Sequence, residues 1–234
     1  MEALRATTLI TAPMLLLISC SYLFWRYYWF FRNPDRKIPG GEDIVSPADG
    51  TVVYVKQVQP HEPVISIKGK TSLRLSDIVR TDLSGALVLI GIFMSPFDVH
   101  YNRTPISGRV ENIQHHPATL RNHHMGSMHW RTVLKRFPIY KHSMHILENE
   151  RTVTRFSGRF KGTPVSCYVV QIAGGSVNGI DSYISKGNIV DKGSVFGMIR
   201  IGSQVDLIIT YVESMDVEVR PGERVRAGET VLIK

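Results

Sequence analysis

Gly202 and Ser203 join two apolar runs within residues 195–210, VFGMIRIGSQVDLIIT. Apolar positions alternate on both sides, which predicts two strands with a turn or kink at the dipeptide. Glycine inside such a pattern marks a bulge or a close backbone approach. A serine placed there can turn its hydroxyl on the Gly202 carbonyl, in the peptide bond that precedes it. Attack shifts the acyl group from nitrogen to oxygen. Elimination from the ester, then hydrolysis of the nitrogen-bearing product with loss of ammonia, leaves a pyruvoyl group at position 203. The dipeptide alone says little, because Gly126-Ser127, Gly175-Ser176 and Gly193-Ser194 repeat it. Ordinary turn chemistry accounts for most such pairs.

Two other stretches hold groups suited to proton transfer. Ser46-Pro47-Ala48-Asp49-Gly50 reads as a turn ahead of a β-rich run over 51–58. Taken alone, Asp49 is a turn aspartate bonding its own backbone. The apolar run 87–93, expected as a buried strand, leads into Ser95-Pro96-Phe97-Asp98-Val99-His100-Tyr101-Asn102-Arg103-Thr104-Pro105. A histidine two positions after an aspartate, on a proline-fixed loop, is a candidate acid–base group.

The three stretches together resemble the phosphatidylserine decarboxylase family, in its short, archaeal-type branch. F-G-M-I-R-I-G-S-Q-V-D-L is similar to the family's processing site, F-G-x-I-x-F-G-S-x-V-D. Phe31-Arg32-Asn33-Pro34-Asp35-Arg36 followed by the Ser46–Gly50 turn is similar to its entry motif, and the Ser95–Pro105 stretch to its second signature. The resemblance implies a proenzyme cut between Gly202 and Ser203, giving a β chain of residues 1–202 and an α chain of 203–234 that stay together as a heterodimer able to assemble further. It implies a pyruvoyl group made from Ser203 that binds the substrate amine as a Schiff base and delocalises the charge left by decarboxylation. His100 would then protonate the product, with Asp49 and Asp98 orienting or charge-stabilising it. The substrate would be the serine headgroup of a phospholipid: phosphatidylserine converted to phosphatidylethanolamine plus CO2, or ether-linked archaetidylserine by the same chemistry. Two departures matter. The longer, bacterial-type branch has a second histidine where this chain has Arg103, and the family's arginine pair after Ile172-Ala173-Gly174 is missing. If that pair helps hold phosphate, another cation must replace it.

The elements that position these groups form one β-rich domain behind an anchor. Residues 8–25 carry no charge; as a helix they span roughly 27 Å, close to the hydrocarbon thickness. Trp25, Tyr27, Tyr28, Trp29, Phe30 and Phe31 follow like an interfacial belt. Bulky aromatics stand where a signal peptide would need small residues, and Pro13 allows a kink. Basic residues crowd the C-terminal flank (Arg26, Arg32, Arg36, Lys37), which predicts a cell-membrane protein with its main domain in the cytoplasm. The expected division is therefore an anchor at 1–31 and a catalytic domain at 32–234. Cys20 and Cys167 lie too far apart in sequence to suggest a disulfide framework.

The net charge of +8 suits an anionic membrane surface. No RNP stretch, finger spacing or basic helix points to nucleic acid. Seven of the nine histidines fall within 115–145. Pairs such as His142 and His145 match no established ligand set, so no metal site is expected. Arg121, Arg131, Lys135, Arg136 and Lys141 interleave there with Trp130, Phe137 and Tyr140, a face suited to lipid headgroups. Beyond residue 152 the chain reads as strands, at 165–173 and 180–184 among others, with evenly spaced turns in the style of lipoyl- or biotinyl-carrier β-sandwiches. The expected fold is mainly β with some α. A membrane-anchored, lipoyl-like adaptor without catalysis is the competing reading. A carrier, however, would need a lysine where this chain has Gly202-Ser203.

Overall fold

A computed structural model describes residues 2–59, 62, 65–67, 71–79, 83, 85–140, 143–175, 179–200 and 203–234. The chain divides into two compact units, residues 1–34 and 35–234. The first is an α-helix, Glu2–Leu23, that runs into a π-helical turn, Phe24–Trp29, despite Pro13. Residues Leu9–Trp29 are long and apolar enough to cross a membrane.

The second unit is mainly β, as expected, and its largest sheet curls into a half-barrel. Eight antiparallel strands follow in the order Ile189–Val190, Gly108–His116, Arg151–Phe160, Thr163–Ile172, Ser203–Thr210, Leu87–Met94, Gly50–Val58 and Arg224–Val225. Leu87–Met94 is buried at every position because both faces of the sheet are covered. Val88, Ile90, Ile92 and Met94 join one core with Ile44, Phe196 and Ile199. Leu87, Leu89 and Phe93 join a second core, roofed by Met125, Met128, Ile139 and Ile146 of the insertion that separates the paired strands Gly108–His116 and Arg151–Phe160. The insertion holds the helices Gly126–Val133 and His145–Glu148.

The two runs around the dipeptide do form strands, but they do not pair with each other. Val195–Ile199 lies between Tyr101–Arg103 and Ile180–Ser182 in a three-stranded sheet. Ser203–Thr210 lies between Leu87–Met94 and Thr163–Ile172 in the large one. The chain changes sheets at the dipeptide, because each run finds its hydrogen-bond partners in a different place. Gly202 itself is outside the described residues.

Candidate active site

Ser203 opens the central strand opposite Met94 and is fully buried. Alternation puts Ser203, Val205, Leu207 and Ile209 on the first core's face and Gln204, Asp206 and Ile208 on the other. The Ser203 hydroxyl points to Met94 Sδ at 3.3 Å. A thioether is a weak acceptor, so this buried hydroxyl is only lightly held.

Backbone hydrogen bonds bring the other two motifs to the same end of the sheet. Arg103 N donates to the Pro47 carbonyl at 2.9 Å, and Ile199 N to the His100 carbonyl at 3.2 Å. Asn102 Nδ2 reaches the Pro47 carbonyl at 3.4 Å and Met94 Sδ at 3.8 Å, and Asn102 Oδ1 accepts from Gln171 Nε2 at 2.8 Å. Met94 thus touches both Ser203 and Asn102.

His100 is fully buried, and its Nδ1 lies 2.9 Å from the Asp98 carbonyl. A carbonyl only accepts, so Nδ1 carries the hydrogen and Nε2 is the atom that can gain or lose a proton. Asp98 therefore meets the imidazole through its backbone. Its carboxylate accepts from Ser95 N at 2.7 Å and is paired with Arg224. Burial works to raise the Asp98 pKa, but the hydrogen bonds and charge of Arg224, with those of Ser95, hold it below the usual value. Asp49 accepts from both sides: Arg36 Nη2 lies 3.0 and 2.9 Å from its two oxygens, and Ala227 N lies 2.7 Å from Oδ1. Arg103, at the position of the other branch's histidine, donates to the Gly193 carbonyl at 2.8 Å.

Behind Ser203, on the opposite face, runs a polar network that sequence reasoning missed. Gln204 Nε2 donates to Asp206 Oδ1 at 2.7 Å and to the Tyr54 hydroxyl at 2.6 Å, and Tyr54 in turn donates to Asp206 Oδ1 at 2.7 Å. Gln204 Oε1 accepts from His145 Nε2 at 2.9 Å. All four residues are buried. Burial raises the Asp206 pKa to about 6, against the hydrogen bonds of Tyr54 and Gln204 and the charge of Arg151. Burial lowers that of His145 to about 4, with the charges of Arg151 and His123 acting in the same direction and the Gln204 hydrogen bond opposing. Gly91 makes room for this network, since a Cβ there would sit 2.3 Å from the Tyr54 ring. One signal was available: Asp206 is a lone charge in an otherwise uncharged run.

Among the described residues no group of histidines, cysteines and carboxylates could hold a metal. His142 is outside the described residues; His145 serves Gln204, and His123 pairs with Glu148.

A buried serine heading a central strand, with a buried histidine and two tethered aspartates at the same sheet end, suits an enzyme interior rather than a carrier domain. Comparison with known proteins makes that enzyme a carboxy-lyase. A family model described as phosphatidylserine decarboxylase matches residues 23–233. The chain is 34% identical over 216 residues to a Methanocaldococcus jannaschii protein named as an archaetidylserine decarboxylase proenzyme, covering 91% of each. It is 31% identical over 207 residues to the phosphatidylserine decarboxylase proenzyme of Rhodopirellula baltica, covering 88% of this chain and 70% of that one. It is 33% identical over 212 residues to that of Carboxydothermus hydrogenoformans, covering 90% and 80%. The chain belongs to the phosphatidylserine decarboxylase family.

Proposed function

We propose that this chain is a pyruvoyl-dependent decarboxylase of a phospholipid serine headgroup, made active by its own cleavage between Gly202 and Ser203. The observation that carries the reading is Ser203 itself, buried at the head of the central strand with, among the described residues, a thioether as the hydrogen-bond partner of its hydroxyl. Little hydrogen bonding is lost when that hydroxyl is consumed. In the cut, Ser203 Oγ adds to the Gly202 carbonyl carbon as the peptide C–N bond breaks, giving an ester and a free amine at 203. Removal of the Ser203 Cα proton then expels the Gly202 carboxylate, and water replaces the nitrogen, which leaves as ammonia.

The resulting pyruvoyl group supplies one carbonyl for the substrate amine and a second to spread the charge left when CO2 departs. His100 Nε2 takes the proton from Ser203 during the cut and returns one to the headgroup α-carbon during turnover. Asp98 fixes the tautomer through its carbonyl, and Arg224 and Ser95 fix Asp98. Asp49 ties the Ser46–Gly50 turn to Arg36 and the residue 227 backbone, and acts mainly in the cut. The substrate is phosphatidylserine; archaetidylserine, named for the M. jannaschii relative, has the same headgroup. The apolar helix holds the enzyme at the cell membrane with its β domain in the cytoplasm, and the two pieces remain one heterodimer.

Intact mass tests this directly. The expected result is two species, 1–202 and a 203–234 fragment lacking a free amino terminus. An active preparation that contains the full-length chain alone would refute it.

A further inference from the structure

A cavity of about 560 Å3 opens on the insertion side of the large sheet. Two of its lining residues, Arg224 and Thr51, begin a cross-strand row that continues through Phe93 to Gln204, the neighbour of Ser203. Three strand spacings near 4.8 Å make this about 14 Å of backbone separation. A phosphoserine headgroup seated beside Arg224 would span that gap round the sheet end, where Ser203 lies on the other face. Ser95 lines the cavity one residue beyond Met94, the partner of Ser203, and so carries the lining over the sheet end.

The chemistry of the lining is one-sided. Arg224 is held by Asp98 and by Thr51 Oγ1 at 3.4 Å, yet its side chain is 61% exposed and keeps N–H donors for a second anion. Lys135 and His129 belong to the wall supplied by the insertion, and Thr51 and Ser95 add hydroxyls. None of the described lining residues carries a carboxylate. Phe97 and Phe137 also line it and are 63% and 57% exposed, an unusual pair of rings to leave in water. Cations, hydroxyl donors and exposed rings suit a tetrahedral anion attached to an apolar tail.

We propose that this cavity seats the substrate's phosphodiester, with Arg224 and Lys135 as its counter-charges and Phe97 and Phe137 against the first carbons of the lipid chains. The assignment rests on the decarboxylase reading above. It gives the insertion a part in substrate binding.

The test uses the processed full-length enzyme and sn-glycero-3-phosphoethanolamine, the chain-free product headgroup, titrated by calorimetry. Lys135→Glu should weaken binding roughly tenfold to hundredfold, the worth of a charge-assisted contact. Lys135 has a φ of 50°, which asparagine tolerates. Lys135→Asn is therefore the milder variant and should weaken binding roughly tenfold. The KM for phosphatidylserine in vesicles should rise by the same factors. An unchanged affinity in both variants overturns the proposal. So does a loss confined to vesicles, which would mark a bilayer-docking surface, or inorganic phosphate binding as tightly as the headgroup, which would mark a site for the free ion. Lys135-dependent binding by an enzyme that releases no CO2 from phosphatidylserine supports the subsite and refutes the decarboxylase reading. Turnover with Lys135-independent binding refutes the subsite alone.

Discussion

The two faces of the Ser203–Thr210 strand differ in kind. On one, Ser203 meets a thioether and then Val205, Leu207 and Ile209 pass into the first core. On the other, Gln204 and Asp206 are locked to Tyr54 and His145 from separate elements. Ser203, the residue proposed to react, sits on the loosely bonded face, and the strand that presents it is held from behind by a dense polar network. Rigidity and reactivity are thus separated by one residue of alternation, a division that a strand offers and a loop does not.

The largest effect should come from the reactive face. Ser203→Ala is expected to leave the chain uncut and without decarboxylase activity, read on a denaturing gel and by CO2 release. Wild-type turnover in that variant would remove Ser203 from the chemistry. Next in size is His100→Ala. Cleavage should slow, and the matured fraction should lose roughly 10²–10⁴-fold in rate, the range for a missing acid–base group. Full cleavage with undiminished turnover would exclude His100.

The network face should show itself through pH. Burial lifts the Asp206 pKa from 3.8 to about 6. The folded chain then holds an extra proton, and that stabilisation is complete below about pH 4 and lost as pH rises through about 6. Burial moves His145 the other way, from 6.5 to about 4. Its contribution is complete above pH 6.5 and lost as pH falls through about 4. Each is worth on the order of 3 kcal/mol, and between pH 4 and 6 they oppose each other. Asp206→Asn should therefore leave a stability that rises with pH over this window, and His145→Gln one that falls. Urea midpoints of the uncut Ser203→Ala chain at pH 4.5 and 6.5 decide the matter; equal midpoints in both variants would dissolve the contrast. The smallest effect belongs to Met94→Leu, a volume-conserving swap that should cost less than about 1.5 kcal/mol. It removes the thioether from Ser203 Oγ and Asn102, so the cleavage rate, followed on a gel, should move more than stability does. A stability loss without a rate change would make Met94 packing alone.

The strands could be read from alternation and apolar runs, and 87–94 and 51–58 fall within a residue or so of expectation. The motif residues could be read as well, because Asp98 and His100 sit two apart in one loop. The partners of the aspartates could not, since Arg36 reaches Asp49 from an irregular segment and Arg224 reaches Asp98 from a distant edge strand, contacts that periodicity does not encode. The same limit hid the Tyr54–Gln204–Asp206–His145 network, whose members come from three distant segments. It also made the runs around Gly202-Ser203 look like neighbours, when each pairs elsewhere.

The placement of the last thirty-odd residues sets an order of events. Their first strand lies inside the large sheet, Arg224–Val225 closes its edge, and Val231–Ile233 pairs with Ile44–Val45 near the start of the domain. A fragment so short cannot build a core of its own, and without it the sheet would lose an interior strand. For the proposed cut, folding must therefore come first and cleavage second, with the intact chain acting as its own template. A chain divided in this way would persist by unfolding slowly, not by its parts finding each other again. Denaturing the precursor should be reversible, and denaturing the mature enzyme should be final.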